Sequence, residues 1–309
     1  MTQLANTDLD VFGLCLGGNV FGWTADQETS FDVLDAYRDA GGNFVDTADL
    51  YAGSESEGII GGWVARSGNR AEVVIATKVG MTEGRPGLSP NNLRAACDDS
   101  LRRLGTDYID LYYAHQDDPD TPQDETLEAF NQLVQAGKVK HIGASNFTAE
   151  RLSASLEISD RQGWARYVAL QPHYNLVERD EFEGPLQKLC ERENVGCIPY
   201  FGLAKGFLTG KYRPGGAEVD SPRAPRASQY LERGGEAVLE TLDEVSAARG
   251  GVPVAAVALA WLAAQPTVVA PIASARSVEQ LESLLPMVDL NLTEDELSRL
   301  DQAGRQARV

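Results

Sequence analysis

The chain has 309 residues, with 46 acidic against 27 basic side chains and a formal net charge of −19 at pH 7. That balance argues against nucleic acid and against anionic membrane surfaces as partners, since both would be repelled. No apolar run approaches the roughly 20 residues that cross a bilayer, and the opening MTQLANTDLD has neither a basic n-region nor an apolar h-region, so a cytoplasmic protein is expected.

The length suits two average domains or one large α/β barrel, and it buries a core without disulfide help. Cys15, Cys97, Cys190 and Cys197 form no CxxC pair; Cys15 and Cys197 lie in apolar runs and read as core. In chain order, residues 11–17 read as a first strand, closed by Gly17-Gly18. Residues 30–40 place Phe31, Leu34 and Tyr37 at helical spacing, with Ser30 as N-cap. A glycine pair, Gly41-Gly42, leads into strand 43–46, which ends abruptly in Asp46, and Tyr51 follows across a loop carrying Thr47 and Asp49.

Helix 57–66 is followed by strand 72–78, which ends in Lys78, and Ser89-Pro90 opens helix 91–104 in the order of cap then proline. Strand 108–115 ends in His115. Helix 125–136, strand 141–145, helix 149–159, strand 167–171, helix 182–194 and strand 196–200 continue the alternation. A Gly/Pro-rich connection then runs through Ser228, followed by helices 235–249 and 254–264, a last strand 268–272, helix 277–285 and helix 294–303 behind cap Thr293.

Eight strands alternating with helices imply a parallel sheet, and eight such units favour closure into a (β/α)8 TIM barrel over an open doubly wound sheet. No linker is long or polar enough to mark a second domain, so residues 1–309 read as one. No G-x-G-x-x-G follows the first strand, which counts against a Rossmann site. Residues 205–212 come near a phosphate-loop pattern but fail on spacing, with Tyr212 where Ser or Thr is needed.

In such barrels the chemistry sits at the C-terminal strand ends. Here those ends read Asp46, Lys78, His115, Ser145-Asn146, Gln171, Tyr200 and, just past the last strand, Ser274 and Arg276. Each has a bland explanation: a capping carboxylate, a snorkelling lysine, a hydrogen-bonded histidine. Jointly the bland account is hard to sustain, because from the second strand onward every end carries a polar group. Asp46, Tyr51, Lys78 and His115 would converge on one pocket. A tyrosine with an ordinary pKa of about 10 responds poorly near neutrality; a lysine beside it favours the phenolate, and a carboxylate holds the lysine. That equips Tyr51 to donate a proton to a group oriented by His115, while a cofactor does the hard step. The three histidines show no HxH or HExxH pattern, so no metal site is read. The cofactor should be an anion, held by glycine-rich residues 202–211 with Lys205 and Lys211 as countercharges and by Arg276 at the start of the last barrel helix.

Taken together, NFVDTADLY, VVIATKVG, SLRRLGTDYIDLYYAH, HIGASNF, ALQPHYN, GFLTGKY and PIASARSVEQLE resemble the aldo-keto reductase superfamily over nearly the whole chain. The resemblance implies a (β/α)8 barrel that reduces small-molecule carbonyls with NADPH. Its four catalytic positions fall on Asp46, Tyr51, Lys78 and His115. Its nicotinamide contacts match Ser145, Asn146 and Gln171, with Gly18 and Asn19 bordering that side and Tyr200 as the stacking aromatic. The stretch after Tyr200 (Phe201, Gly202, Leu203, Ala204, Gly206), with Lys211, resembles the pyrophosphate loop, and Arg226 would reach the phosphates. Ser274, Arg276 and Gln280 match the adenosine 2′-phosphate contacts, which argues for NADPH over NADH. Three positions depart from the pattern: Phe201-Gly202 replaces Ser-Pro, Ser283-Leu284 replaces the Glu and Asn that hold adenine, and Ala273 replaces proline.

Two further readings compete. A lysine-dependent aldolase would form a Schiff base on Lys78, which borohydride trapping would reveal. An NADPH-sensing regulatory subunit would bind cofactor without turnover, although the branch of the family that does so commonly carries asparagine in place of His115. Trp23, Phe21, Phe147 and residues 116–118 are expected to border the pocket mouth. The substrate and the oligomeric state are not legible.

Overall fold

In the computed structural model, which describes residues 1–215, 222 and 224–307, eight parallel strands form one sheet. They are β1 (Cys15–Gly17), β2 (Phe44–Asp46), β3 (Val74–Val79), β4 (Ile109–Ala114), β5 (Val139–Ser145), β6 (Tyr167–Gln171), β7 (Gly196–Cys197) and β8 (Ile272–Ala273). The pairing order is β8-β1-β2-β3-β4-β5-β6-β7. The ring closes through the residues leading into β8: Cys197 N–H donates to Thr267 O at 2.8 Å, Val269 N–H to Cys197 O at 2.8 Å and Ile272 N–H to Pro199 O at 2.9 Å. The chain is a (β/α)8 barrel.

The expected first strand, 11–17, divides. Asp10–Val11 pairs antiparallel with Thr2–Gln3 in a hairpin, and only Cys15–Gly17 joins the barrel. Leu4, Leu9 and Val11 of that hairpin pack with inward-facing Cys15, Phe44, Val74 and Leu111, filling the barrel from below. The expected last strand, 268–272, is also interrupted. Val268 makes an isolated bridge to Cys197, and Pro271, which has no N–H, still accepts from Cys15 N–H at 2.9 Å.

The helices follow their capping chemistry. They are α1 (Gln27–Asp39), α2 (Glu55–Ser67), α3 (Pro90–Leu104), α4 (Gln123–Gln135), α5 (Ala149–Gln162), α6 (Pro185–Glu193), α7 (Ala224–Glu232), α8 (Gly235–Ala248), α9 (Val254–Ala263), α10 (Val278–Leu284) and α11 (Glu294–Gln306). Ser89 caps α3 and Thr293 closes a full capping box with Glu296 on α11. The cap of α1 is Asp26, not Ser30: the Asp26 carboxylate accepts from Thr29 N–H, while the Ser30 hydroxyl turns back to the Asp26 carbonyl at 2.6 Å. Helix α7 occupies part of the stretch read as an irregular connection; residues 216–221 and 223 of that stretch lie outside the described residues. Among the described residues, no helix is long and apolar enough to cross a membrane.

Candidate active site

Strand side chains alternate faces, so the inward column of each strand can be followed upward. Phe44 is followed inward by Asp46, Val74 and Ala76 by Lys78, Leu111 and Tyr113 by His115, and Ala169 by Gln171. The same period-two register that packs the apolar interior therefore delivers a carboxylate, an ammonium, an imidazole and an amide to one rim.

There Lys78, fully buried, donates from Nζ to Asp46 Oδ1 at 2.5 Å, to Thr47 O at 2.7 Å and to the Tyr51 hydroxyl at 3.2 Å. Gln171 Nε2 donates to the other Asp46 oxygen at 2.9 Å. Tyr51 opens a short 3-10 turn, Tyr51–Ser54, in which Ala52 and Ser54 sit at φ 50° and 81°. Left-handed backbone at two residues with side chains is strain, of the kind that accumulates where a loop must hold one geometry. His115 lies edge-on to Tyr51, with ring centroids 6.0 Å apart at 82°.

Burial alone would depress the Lys78 ammonium, but Asp46 and then Tyr51 reverse this and lift it above its ordinary value. Burial lifts the Asp46 carboxyl, opposed by Lys78 and Gln171. With a hydrogen bond to each carboxylate oxygen, the pair stands as ammonium and carboxylate. Burial, then the Lys78 charge, pushes His115 down to about 3, so its ring is neutral. Among the described residues, no partner is recorded for its buried Nδ1.

Asp46, Tyr51, His115 and Gln171 line one side of a cavity of about 580 Å³, while Lys78, fully buried, lies outside the lining and reaches it through Asp46 and Tyr51. Ser145 Oγ donates to Gln171 O at 2.9 Å; Asn146 Nδ2 donates to His115 O at 2.9 Å and Asn146 Oδ1 accepts from the Tyr200 hydroxyl at 2.8 Å. Ser274 Oγ donates to Asn19 Oδ1 at 2.7 Å, and Gln280 Oε1 accepts from Arg276 N–H at 3.0 Å. Asn19, Phe201, Gly202, Leu203, Gly206 and Lys211 line the cavity as well. The basic side chains lining it, Lys205, Lys211 and Arg276, come from segments after β7 and β8, across the barrel from Lys78 and His115.

Some expected site residues lie elsewhere. Gly18 and Ala204 are backbone neighbours of the cavity and do not line it; Gly18 N–H donates to Asp46 O at 2.7 Å, and Ala204 is fully buried. Arg226 is exposed on α7 and is outside the lining. Phe21 and Phe147 are core residues, and Asp117 pairs with Arg151 at 2.7 Å, so of the expected mouth residues only Trp23 lines the cavity. Sequence reading passed over Met81, Val254 and Ala255, which also line it. Val254 and Ala255 open the apolar helix α9, and nothing local separates them from ordinary core.

The sequence model of the Aldo/keto reductase family matches residues 13–305. The chain belongs to the aldo/keto reductase family. It is 35% identical to an uncharacterized oxidoreductase, YrpG, of Bacillus subtilis, over 97% of this chain and 94% of that one. It is 33% identical to the aldo-keto reductase AMT2 of Alternaria alternata, over 97% and 90%. It is 34% identical to the norsolorinic acid reductase stcV of Emericella nidulans, over 93% and 77%. These relatives make the chain an oxidoreductase of a family acting on small carbonyl compounds.

Proposed function

We propose that the chain is an NADPH-dependent carbonyl reductase in which Tyr51 supplies the proton. The observation that carries this reading is the Lys78 ammonium, bonded at once to Asp46 and to the Tyr51 hydroxyl beside a cavity. NADPH, when bound, supplies the hydride to the carbonyl carbon. Tyr51 donates its proton to the carbonyl oxygen, and Lys78 steadies the phenolate left behind. Asp46 keeps Lys78 charged and fixed. Neutral His115, edge-on to Tyr51, orients the carbonyl oxygen by hydrogen bonding and adds no competing charge.

A dinucleotide fits these residues. The cavity volume is within the roughly 300–1,000 Å³ range of small-molecule sites. Amide and hydroxyl groups of Ser145, Asn146 and Gln171 would hold the nicotinamide amide beside Gly18 and Asn19, with Tyr200 under the ring. Residues 201–206 with Lys211 would take the pyrophosphate; Phe201, Ala204, Lys205 and Gly206 all have left-handed φ, which turns the loop sharply at this point. Ser274, Arg276 and Gln280 would take the 2′-phosphate. A basic end in a chain of net charge −19 supports an anionic ligand. Lys78 is unsuited to Schiff-base chemistry, since a nucleophilic lysine needs a lowered pKa and this one is held charged.

The test is consumption of NADPH and NADH in the presence of aldehydes and ketones, for the wild-type chain and Arg276→Ala. Wild type is expected to prefer NADPH, and the variant to lose about 10-fold or more in NADPH affinity with little change for NADH. Equal losses would remove the phosphate role. No carbonyl-dependent consumption by wild type would overturn the reductase reading.

A further inference from the structure

Tyr200 lines the cavity, and its ring is stacked by a residue outside that lining, to which neither the mechanism nor the family pattern gives a task. The His173 imidazole stacks on the Tyr200 ring with centroids 5.2 Å apart and planes at 10°. The two residues are also joined through the backbone, by an isolated bridge and by Tyr200 N–H donating to Pro172 O at 3.0 Å. Phe201 closes the cluster edge-on, 5.6 Å from His173 and 5.1 Å from Tyr200. It does so from left-handed backbone at φ 54°, with its carbonyl accepting from Asn175 Nδ2 at 3.0 Å. The departure at Phe201 thus has a physical account: in place of a hydroxyl, the chain sets a third ring edge-on beside Tyr200 and His173.

We propose that His173, braced by Phe201, is a positioning residue that fixes the Tyr200 ring as a ready-made platform for the nicotinamide. The inference rests on the reductase reading and goes beyond it. A phenol ring held only by its hydroxyl bond to Asn146 would still tilt about that end. With a parallel ring stacked on it and an edge against its side, the tilt is removed before any ligand arrives, and ordering costs on binding fall accordingly. Burial lowers the His173 pKa, which keeps the stacked ring neutral. Its buried Nε2 has no partner among the described residues. The stack therefore uses the shape and π-face of the ring, and a phenyl group should serve as well.

The experiment is calorimetric titration of wild type, His173→Ala and His173→Phe with NADPH and with adenosine 2′,5′-bisphosphate, which lacks the nicotinamide. His173→Ala should bind NADPH about two- to ten-fold more weakly, as expected for the loss of one aromatic pair. Its affinity for the bisphosphate should be unchanged, and His173→Phe should match wild type with both ligands. Unchanged NADPH binding by His173→Ala, or equal weakening toward both ligands, overturns the inference while leaving the reductase reading intact. Wild type that binds neither ligand overturns both.

Discussion

Asp49 sits three residues after Asp46, on the loop that follows β2, yet nothing neutralises it as Lys78 neutralises Asp46. It is 4% exposed, and no partner is recorded for its Oδ1 among the described residues. Burial, reinforced by Glu57 and opposed by Thr82, lifts its pKa from 3.8 to about 6. A carboxyl raised in the folded state binds its proton more tightly there than when unfolded. Its stabilising contribution is full below about 3.8 and is lost as pH rises through about 6. His115, pushed from 6.5 down to about 3, has the opposite sense: folding stability rises with pH across that window. The two slopes offset each other between about 3.8 and 6, so the wild-type profile conceals both. Asp49→Asn should expose them. Relative to wild type, the variant should gain on the order of 2 kcal/mol at pH 7.5 and much less at pH 4.5, measured by urea unfolding at each pH. A gain independent of pH would contradict the assignment.

Helix α2 carries glycines whose surroundings differ sharply. Gly61 faces α3, where an added Cβ would lie 2.6 Å from Arg103 O and 2.7 Å from Leu104 O; Gly58, on the exposed face, has nothing within 4 Å. Gly58→Ala should therefore stabilise by up to about 1 kcal/mol through helix propensity. Gly61→Ala should destabilise by about 1–3 kcal/mol because α2 and α3 must separate. Thermal melts of the two variants check this, and shifts of the same sign would contradict it. Most elements were legible from periodicity and caps, as Ser89 and Thr293 illustrate. The errors fell where tertiary contacts override local pattern. Residues 11–17 form a continuous apolar run but serve two sheets, and α7 lies in a stretch whose Gly and Pro content reads as loop.

At the scale of the molecule, the barrel places groups far apart in sequence within hydrogen-bonding reach, as in Gln171 Nε2 to Asp46 Oδ2 at 2.9 Å. Asp46, Lys78 and His115 could be read as strand ends because period two and a polar terminus are both local. Phe21 and Phe147 were misread because aromaticity says nothing about which side of a loop faces the core. His173 was dismissed as a metal ligand, and its stack on Tyr200 depends on how β6 and β7 lie side by side.

The most direct test of the central claim is Tyr51→Phe, assayed for NADPH binding and for carbonyl reduction in parallel. The ring and its edge contact to His115 are kept while the transferable proton is removed. The account predicts near-wild-type NADPH binding with the reduction rate down by about 10²–10⁴-fold. Carbonyl reduction at close to the wild-type rate would contradict it.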